Sequence, residues 1–176
     1  MQLRGLAGVG VVCGVLMLAG CGSGTVAGEA SPEGVAAGEP VFSPCDDIPD
    51  EALRAVQVDP MTESQDIAGV KQPGWNICLW RGPEHALSIF ATTYTMDDVR
   101  SNKKFEEFLP VDLGGRTAAT FREVADKERR ECDVALASNG GAVMVSIAYL
   151  SGMPVVEEPC GVAERTALQL LSHIPS

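Results

Sequence analysis

The segment that decides the fold is residues 131–149, ECDVALASNGGAVMVSIAY. Its centre, Asn139-Gly140, is a dipeptide that favours the primed two-residue turn between antiparallel strands. Pairing across that turn places three apolar pairs on one face of the hairpin and a mixed set on the other. The apolar pairs are Leu136 with Val143, Val134 with Val145 and Cys132 with Ile147, and the mixed set is Asp133, Ala135, Met144 and Ser146. Because register and hydrophobic pattern agree, the segment predicts an antiparallel sheet with one buried face.

Three further strands are predicted on the N-terminal side of the hairpin. Residues 77–81 and 86–94 are rich in apolar, β-branched and aromatic side chains and are separated by the turn Gly82-Pro83. Residues 117–124 form the third. Residues 61–74 contain several backbone breakers and are predicted to be a loop.

Three helices are expected as well. The first is capped by Asp47 and is ended by Asp59-Pro60, and the second opens at the capping box Thr95-x-x-Asp98 and runs to about Leu109. The last begins at about Pro159 and carries an apolar stripe at helical spacing. Together these elements predict an α+β domain over residues 41–176, with an antiparallel sheet of about five strands and the N-terminal, middle and C-terminal helices packed mainly on one face.

The first twenty residues have the pattern of an export signal rather than of a folded element. Arg4 precedes an uncharged run of 14 residues, 6–19, which is too short for a spanning helix and suits the apolar region of a signal peptide. The run ends in Leu18-Ala19-Gly20-Cys21, which resembles the bacterial lipobox. We therefore expect residues 1–20 to be a lipoprotein signal peptide and Cys21 to carry diacylglycerol, with an ordinary secretory signal or a short membrane anchor as the alternatives.

Residues 21–40 are predicted to link that anchor to the domain. They are dominated by Gly, Ala, Ser, Glu and Pro, which cannot bury enough surface to offset the entropy of ordering. The expected protein is a flexibly tethered lipoprotein on the extracytoplasmic face of the cell membrane. Docking of part of the linker on the domain is the alternative.

Four cysteines remain after the signal and the lipidated residue: Cys45, Cys78, Cys132 and Cys160. They form no C-x-x-C motif and lack histidines at zinc-ligand spacing, so we expect neither a redox motif nor a metal site. An even number in an exported domain indicates two structural disulfides. The pairing Cys45–Cys78 with Cys132–Cys160 closes the shortest loops and is favoured, while Cys45–Cys160 with Cys78–Cys132 stays open.

Composition and motifs argue against several kinds of chemistry. The net charge of −11 disfavours nucleic-acid binding, which requires a basic patch. His85 lies in a turn and His173 near the C-terminus, neither beside a nucleophile motif, so no catalytic residue and no cofactor are predicted. Trp75 and Trp80 flank Cys78. One of them could line a ligand groove, and packing of tryptophan against a disulfide is the alternative.

Several of these features recur together in one known group of proteins. They are the lipobox, the small-residue linker, Pro44-Cys45, Cys78-x-Trp80, Cys132-x-Val134 and Pro159-Cys160. In this framework the chain is similar to actinobacterial cell-envelope lipoproteins that carry a domain of unknown function. The resemblance implies a small α+β domain at the envelope and supplies no catalytic residues.

The sequence favours a non-catalytic binding or adaptor module, held at the membrane through Cys21, with an envelope protein or lipid as partner. Its acidic surface suits a basic or neutral partner. A lipid or glycolipid carrier with an apolar pocket is the alternative, and an envelope hydrolase is a second one. A continuous apolar cavity would favour the carrier.

Overall fold

The computed structural model describes residues 38–176. The expectations for the signal peptide 1–20, for lipidation of Cys21 and for most of the linker fall outside the described residues. Two residues from the end of the predicted linker do contact the domain: Asn76 Nδ2 donates to the Pro40 carbonyl oxygen at 3.1 Å, and Lys71 Nζ lies 3.3 Å from a Glu39 carboxylate oxygen.

The domain is built on one sheet of seven antiparallel strands. They are β1 (Asp59–Gln65), β2 (Trp75–Arg81), β3 (His85–Thr92), β4 (Phe105–Leu113), β5 (Arg116–Glu123), β6 (Glu131–Ser138) and β7 (Gly141–Tyr149). Their spatial order is β1-β2-β3-β7-β6-β5-β4. The sheet therefore consists of two meanders joined where β3 pairs with β7.

The central hairpin has the register that the sequence predicts. Leu136 lies opposite Val143, Val134 opposite Val145 and Cys132 opposite Ile147. Gly141 opens β7 against the end of β3, where an added Cβ would lie 1.9 Å from the carbonyl oxygen of Thr92. Only a residue without a side chain allows these two strands to approach this closely.

The helices are short, apart from the last. They are α1 (Pro44–Asp47), α2 (Asp50–Ala55), α3 (Met96–Ser101) and α4 (Pro159–Leu170), followed by a 3-10 turn at Leu171–His173. The single first helix predicted from Asp47 is wrong, since Asp47 ends α1 and Pro49 precedes α2. Within residues 38–176, no helix has both the length and the apolar character needed to cross a membrane.

The main core lies between the sheet and three of the helices, α1, α2 and α4. Leu53 of α2, Trp80 of β2, and Ala167 and Leu170 of α4 are fully or almost fully buried in it. Glu158 caps α4 by accepting from the Gly161 backbone N–H at 3.1 Å, and its carboxylate also pairs with the buried guanidinium of Arg122. The ion pair attaches α4 to β5, and the disulfide between Cys160 and Cys132 attaches α4 to β6.

The middle helix departs from the prediction that all helices pack mainly on one face. Val99 of α3 belongs to a second, smaller core on the opposite face, with Phe121, Ala135, Ala142 and Met144. The expected helix up to Leu109 is also wrong: the capping box of Thr95 and Asp98 does form, but α3 ends at Ser101 and β4 follows.

The expected number of about five strands is wrong because β1 and β4 were not predicted. β4 contains a bulge between Glu106 and Leu109, and Glu107 there has a φ of 58°. The extra residue puts Phe105 and Phe108 on the same side of the strand, which imitates helical spacing. β1 is an edge strand of mostly exposed residues with Pro60 near its start, so it lacks the apolar alternation of a typical strand.

Candidate functional site

The second face of the sheet, opposite α1, α2 and α4, carries an unusual mixture of side chains. Successive strand residues point to opposite faces, so the mixed set of the β6–β7 hairpin lies here together with alternate residues of β2, β3 and β5. The cross-strand register places Asp133 between Phe121 and Ser146, and it places Met144 between Ala135 and Phe90. Polar and apolar side chains therefore alternate along neighbouring rows.

Aromatic rings form the walls on this face. The ring of Trp75 lies 6.4 Å from that of Phe90 in an edge-on arrangement and 5.7 Å from that of Tyr94. On the other side Phe105 lies 4.7 Å from Phe121, and Phe108 stacks on Phe121 at 5.0 Å. Because of the β4 bulge, Phe105 and Phe108 both lie on this face of the sheet and pack against Phe121. Residues of β4 therefore form one wall.

Between these walls lies a groove of about 310 Å³. We call it the second-face groove. Its lining consists of Ile67, Gln72, Trp75, Ile77, Phe90, Asn102, Lys104, Phe105, Glu123, Glu131, Asp133 and Met144. Trp75, Asn102 and Phe105 also line an adjoining depression of about 350 Å³ beside α3. The groove volume lies at the lower end of the range for small-ligand sites.

Asp133 is the most perturbed group in this groove. It is only 6% exposed, and its Oδ2 atom is buried without a hydrogen-bond partner. Burial, and to a smaller extent the negative charge of Glu131, raise the pKa of Asp133 to about 8. A buried carboxyl oxygen without a partner is rare in folded proteins and is more frequent at functional sites than elsewhere.

Glu131 lies one row away on the same strand and face. Its carboxylate accepts a hydrogen bond from the Ser146 hydroxyl at 3.1 Å, and burial raises its pKa despite that bond. Ser146 has a single hydrogen to donate, and the same hydroxyl also interacts with Asp133, which partly opposes the rise in the pKa of that residue. The two carboxyl groups therefore compete for one donor.

The two tryptophans that flank Cys78 lie on opposite faces of β2, because their spacing of five residues changes the face. Trp75 is half-buried and lines the second-face groove. Trp80 is completely buried in the main core with Cys78. Trp75 thus has the position of a ligand-lining residue, and Trp80 that of a residue packed beside a disulfide.

The cysteines form two disulfides, Cys45–Cys78 and Cys132–Cys160. This is the pairing that closes the shortest loops. In the described part of the chain, one group of potential metal ligands is found, the two sulfurs of Cys45–Cys78 with Glu63. Disulfide sulfurs are not thiolates, so this group is not a thiolate metal site.

Neither histidine lies in the groove. His85 is buried at the start of β3, where its ring packs edge-on against Tyr149 at 6.0 Å and burial lowers its pKa. The expectation that His85 lies in a turn is therefore wrong, since the turn consists of the three residues 82–84 and His85 is the first residue of β3. His173 lies in the terminal 3-10 turn.

The sequence points to Trp75 as a possible groove residue, but it does not mark Asp133 or Glu131 as part of a site. The available signal was the mixed face of the hairpin, where an aspartate lies among apolar residues of a central strand. Neighbouring rows and the β4 wall come from other strands, so only the tertiary structure assembles them.

Comparison with known proteins finds no matching curated protein and no matching solved structure. One family model, described as a protein of unknown function (DUF3558), matches residues 16–173. That match covers both disulfides, the whole sheet and the second-face groove, and on this basis the chain belongs to the DUF3558 family.

Proposed function

We propose that this protein is an exported, membrane-anchored lipoprotein whose domain is a non-catalytic binding or adaptor module at the cell envelope. The observation that carries the binding role is the second-face groove, in which aromatic walls surround a buried carboxyl group without a partner. The lipobox ending at Cys21 and the two disulfides support export and anchoring.

The groove has the composition of a recognition site. Its lining combines aromatic and aliphatic side chains with a few convergent polar groups, as small-ligand and side-chain pockets do. Trp75 offers a large, partly exposed ring in the wall of the groove, and aromatic anchors of this kind dominate binding energies at interfaces. A partner that inserts one or two side chains would fill the available volume.

The groove also supports a second candidate, a lipid or glycolipid carrier. Trp75, Ile77, Phe90, Phe105 and Met144 give it an apolar lining. The main core beneath the helices is filled by packed side chains, so the second face is where an acyl chain would lie. The small volume favours the adaptor over a carrier of large lipids.

Site-specific photo-crosslinking tests the binding role and separates these candidates. Phe105 in the groove wall is replaced by p-benzoylphenylalanine in the full chain, expressed in its native envelope. The matched control carries the same residue at Leu168, which is exposed on α4. We expect protein adducts from position 105 and few from position 168. Lipid adducts at position 105 would favour the carrier, and equal labelling at both positions would contradict a groove-based function.

Anchoring is tested separately with Cys21→Ser. The unsubstituted chain is expected in the membrane fraction with the mass of a lipidated cysteine, and the variant is expected to lack that mass. An unmodified thiol at Cys21 in the unsubstituted protein would refute the lipoprotein proposal.

A further inference from the structure

We propose that the second-face groove accepts a lysine side chain of the partner protein, with its methylene stem between the aromatic walls and its ammonium group at the carboxyl groups of Asp133 and Glu131. This inference rests on the binding role proposed above and specifies the chemistry that the groove recognises.

The charge of the groove favours a cation. Three carboxyl-bearing residues line it, Glu123, Glu131 and Asp133, against the single ammonium group of Lys104. The whole chain has a net charge of −11, so the surrounding field also attracts a basic partner. An anionic ligand would be repelled both by the carboxyl groups of the groove and by the net charge of the chain.

The walls favour an ammonium group on an apolar stem. Trp75 and Phe90 approach each other edge-on on one side of the groove, and Phe105 lies on the other. Aromatic faces attract cations through their quadrupole and also pack well against methylene groups. Lysine combines a four-carbon stem with a compact charge at its tip. The stem would pack between the aromatic walls, and the charge would reach the carboxyl groups of Asp133 and Glu131.

Asp133 provides an independent observation that points to a ligand. Its Oδ2 atom is buried and has no partner, and the hydroxyl of Ser146, which lies opposite on β7, donates to Glu131. An ammonium group has three hydrogens to donate, enough for both carboxyl groups at once. Binding would therefore satisfy an acceptor that the free domain leaves without a bond.

Proton exchange should accompany this binding. Asp133 holds a proton near neutral pH in the free domain, and an incoming ammonium would displace it to form an ion pair. The charged groups that act on Asp133 are Glu131 on its own strand and Glu123 and Arg122 on β5, and Lys104 also lines the groove. β7 contains no charged residue, and the only titratable residue of β3, His85, lies on the other face.

The test is titration of the full chain with Nα-acetyl-lysine methylamide, followed by NMR or calorimetry. Nα-acetyl-norleucine methylamide, which lacks the ammonium group, is the matched control ligand. We expect the lysine probe to bind more tightly than the norleucine probe by about tenfold or more. Its affinity should rise by roughly 50-fold from pH 6 to pH 8. The reason is that Asp133 must lose its proton before the ion pair forms, and the free energy of that loss falls as pH rises.

Two variants localise the effect. Asp133→Asn should remove most of the pH dependence, and Trp75→Ala should weaken the probe at every pH. Asp97→Asn, at an exposed residue of α3, is the control and should change neither. Equal binding of the two probes, or an unchanged pH dependence in Asp133→Asn, would overturn the inference. If photo-crosslinking from position 105 still captures a partner, the binding role survives and only the lysine assignment fails.

Discussion

Replacing Asp133 by asparagine is expected to stabilise the domain increasingly as pH rises from 5 to 8. Asp133 is 6% exposed in the folded state, and its carboxyl group is exposed to water in the unfolded chain. Folding therefore places it where its charged form is strongly disfavoured. Asparagine has nearly the same shape and carries no ionisable proton, so it removes this cost without leaving a cavity.

The direction and size follow from the two pKa values of the carboxyl group. The pKa of Asp133 is about 8 in the folded domain and 3.8 when unperturbed. Between these values the folded state keeps a proton that the unfolded state has lost. Stability is therefore highest below the unperturbed pKa, falls as pH rises through the window, and levels off above about pH 8. The slope is about 1.36 kcal/mol per pH unit, or about 2.7 kcal/mol between pH 5 and pH 7.

The assay is urea unfolding of the full chain with its disulfides intact, followed by tryptophan fluorescence at pH 5, 6, 7 and 8. The free energy of unfolding of Asp133→Asn, relative to the unsubstituted chain, should increase by about 2.7 kcal/mol from pH 5 to pH 7. Asp97→Asn is the matched control, since that side chain is 96% exposed. A difference between Asp133→Asn and the unsubstituted chain that stays constant with pH would refute the argument that burial holds this carboxyl protonated.

Two further changes probe the frame that supports the groove. The double substitution Cys45→Ser and Cys78→Ser opens a loop of 33 residues. We expect this variant to have a free energy of unfolding lower by about 3–4 kcal/mol in denaturant titrations. An unchanged unfolding midpoint in non-reducing buffer would contradict a structural role for the disulfide. Gly141→Ala forces a Cβ to within 1.9 Å of the Thr92 carbonyl oxygen, so thermal unfolding should show a loss of stability of about 3 kcal/mol or more. In Gly140→Ala the added Cβ meets open space, and the φ of 83° alone should lower stability by about 1–2 kcal/mol. Equal losses of stability in the two variants would contradict the close approach of β3 and β7.

The error in the middle helix and β4 has one physical cause. A helix and a bulged strand can both bring residues three apart to the same side, and Phe105 and Phe108 have that spacing in β4. The sequence showed a capping box followed by apolar residues at helical spacing, and the capping box is real. What ends the helix at Ser101 is pairing of β4 with β5, a long-range contact that no local pattern contains.

Local physics was sufficient wherever a single segment contains both partners of an interaction. The primed turn at Asn139-Gly140 and the alternation on either side determined the register of β6 and β7. Pro159 and the apolar stripe that follows determined α4, and the loop lengths between cysteines favoured the disulfide pairing found in the structure. Each depends on dihedral preferences or chain entropy over a few residues or one loop.

The candidate site was decided only by the tertiary structure. Trp75, Phe105 and Asp133 come from three strands that are far apart in the sequence, and the β4 bulge turns Phe105 toward the sheet. The raised pKa of Asp133 depends on how completely those neighbours exclude water from its carboxyl group. Desolvation depends on every side chain that packs around the carboxyl group. The sequence of one strand determines only which of its own side chains lie on the same face.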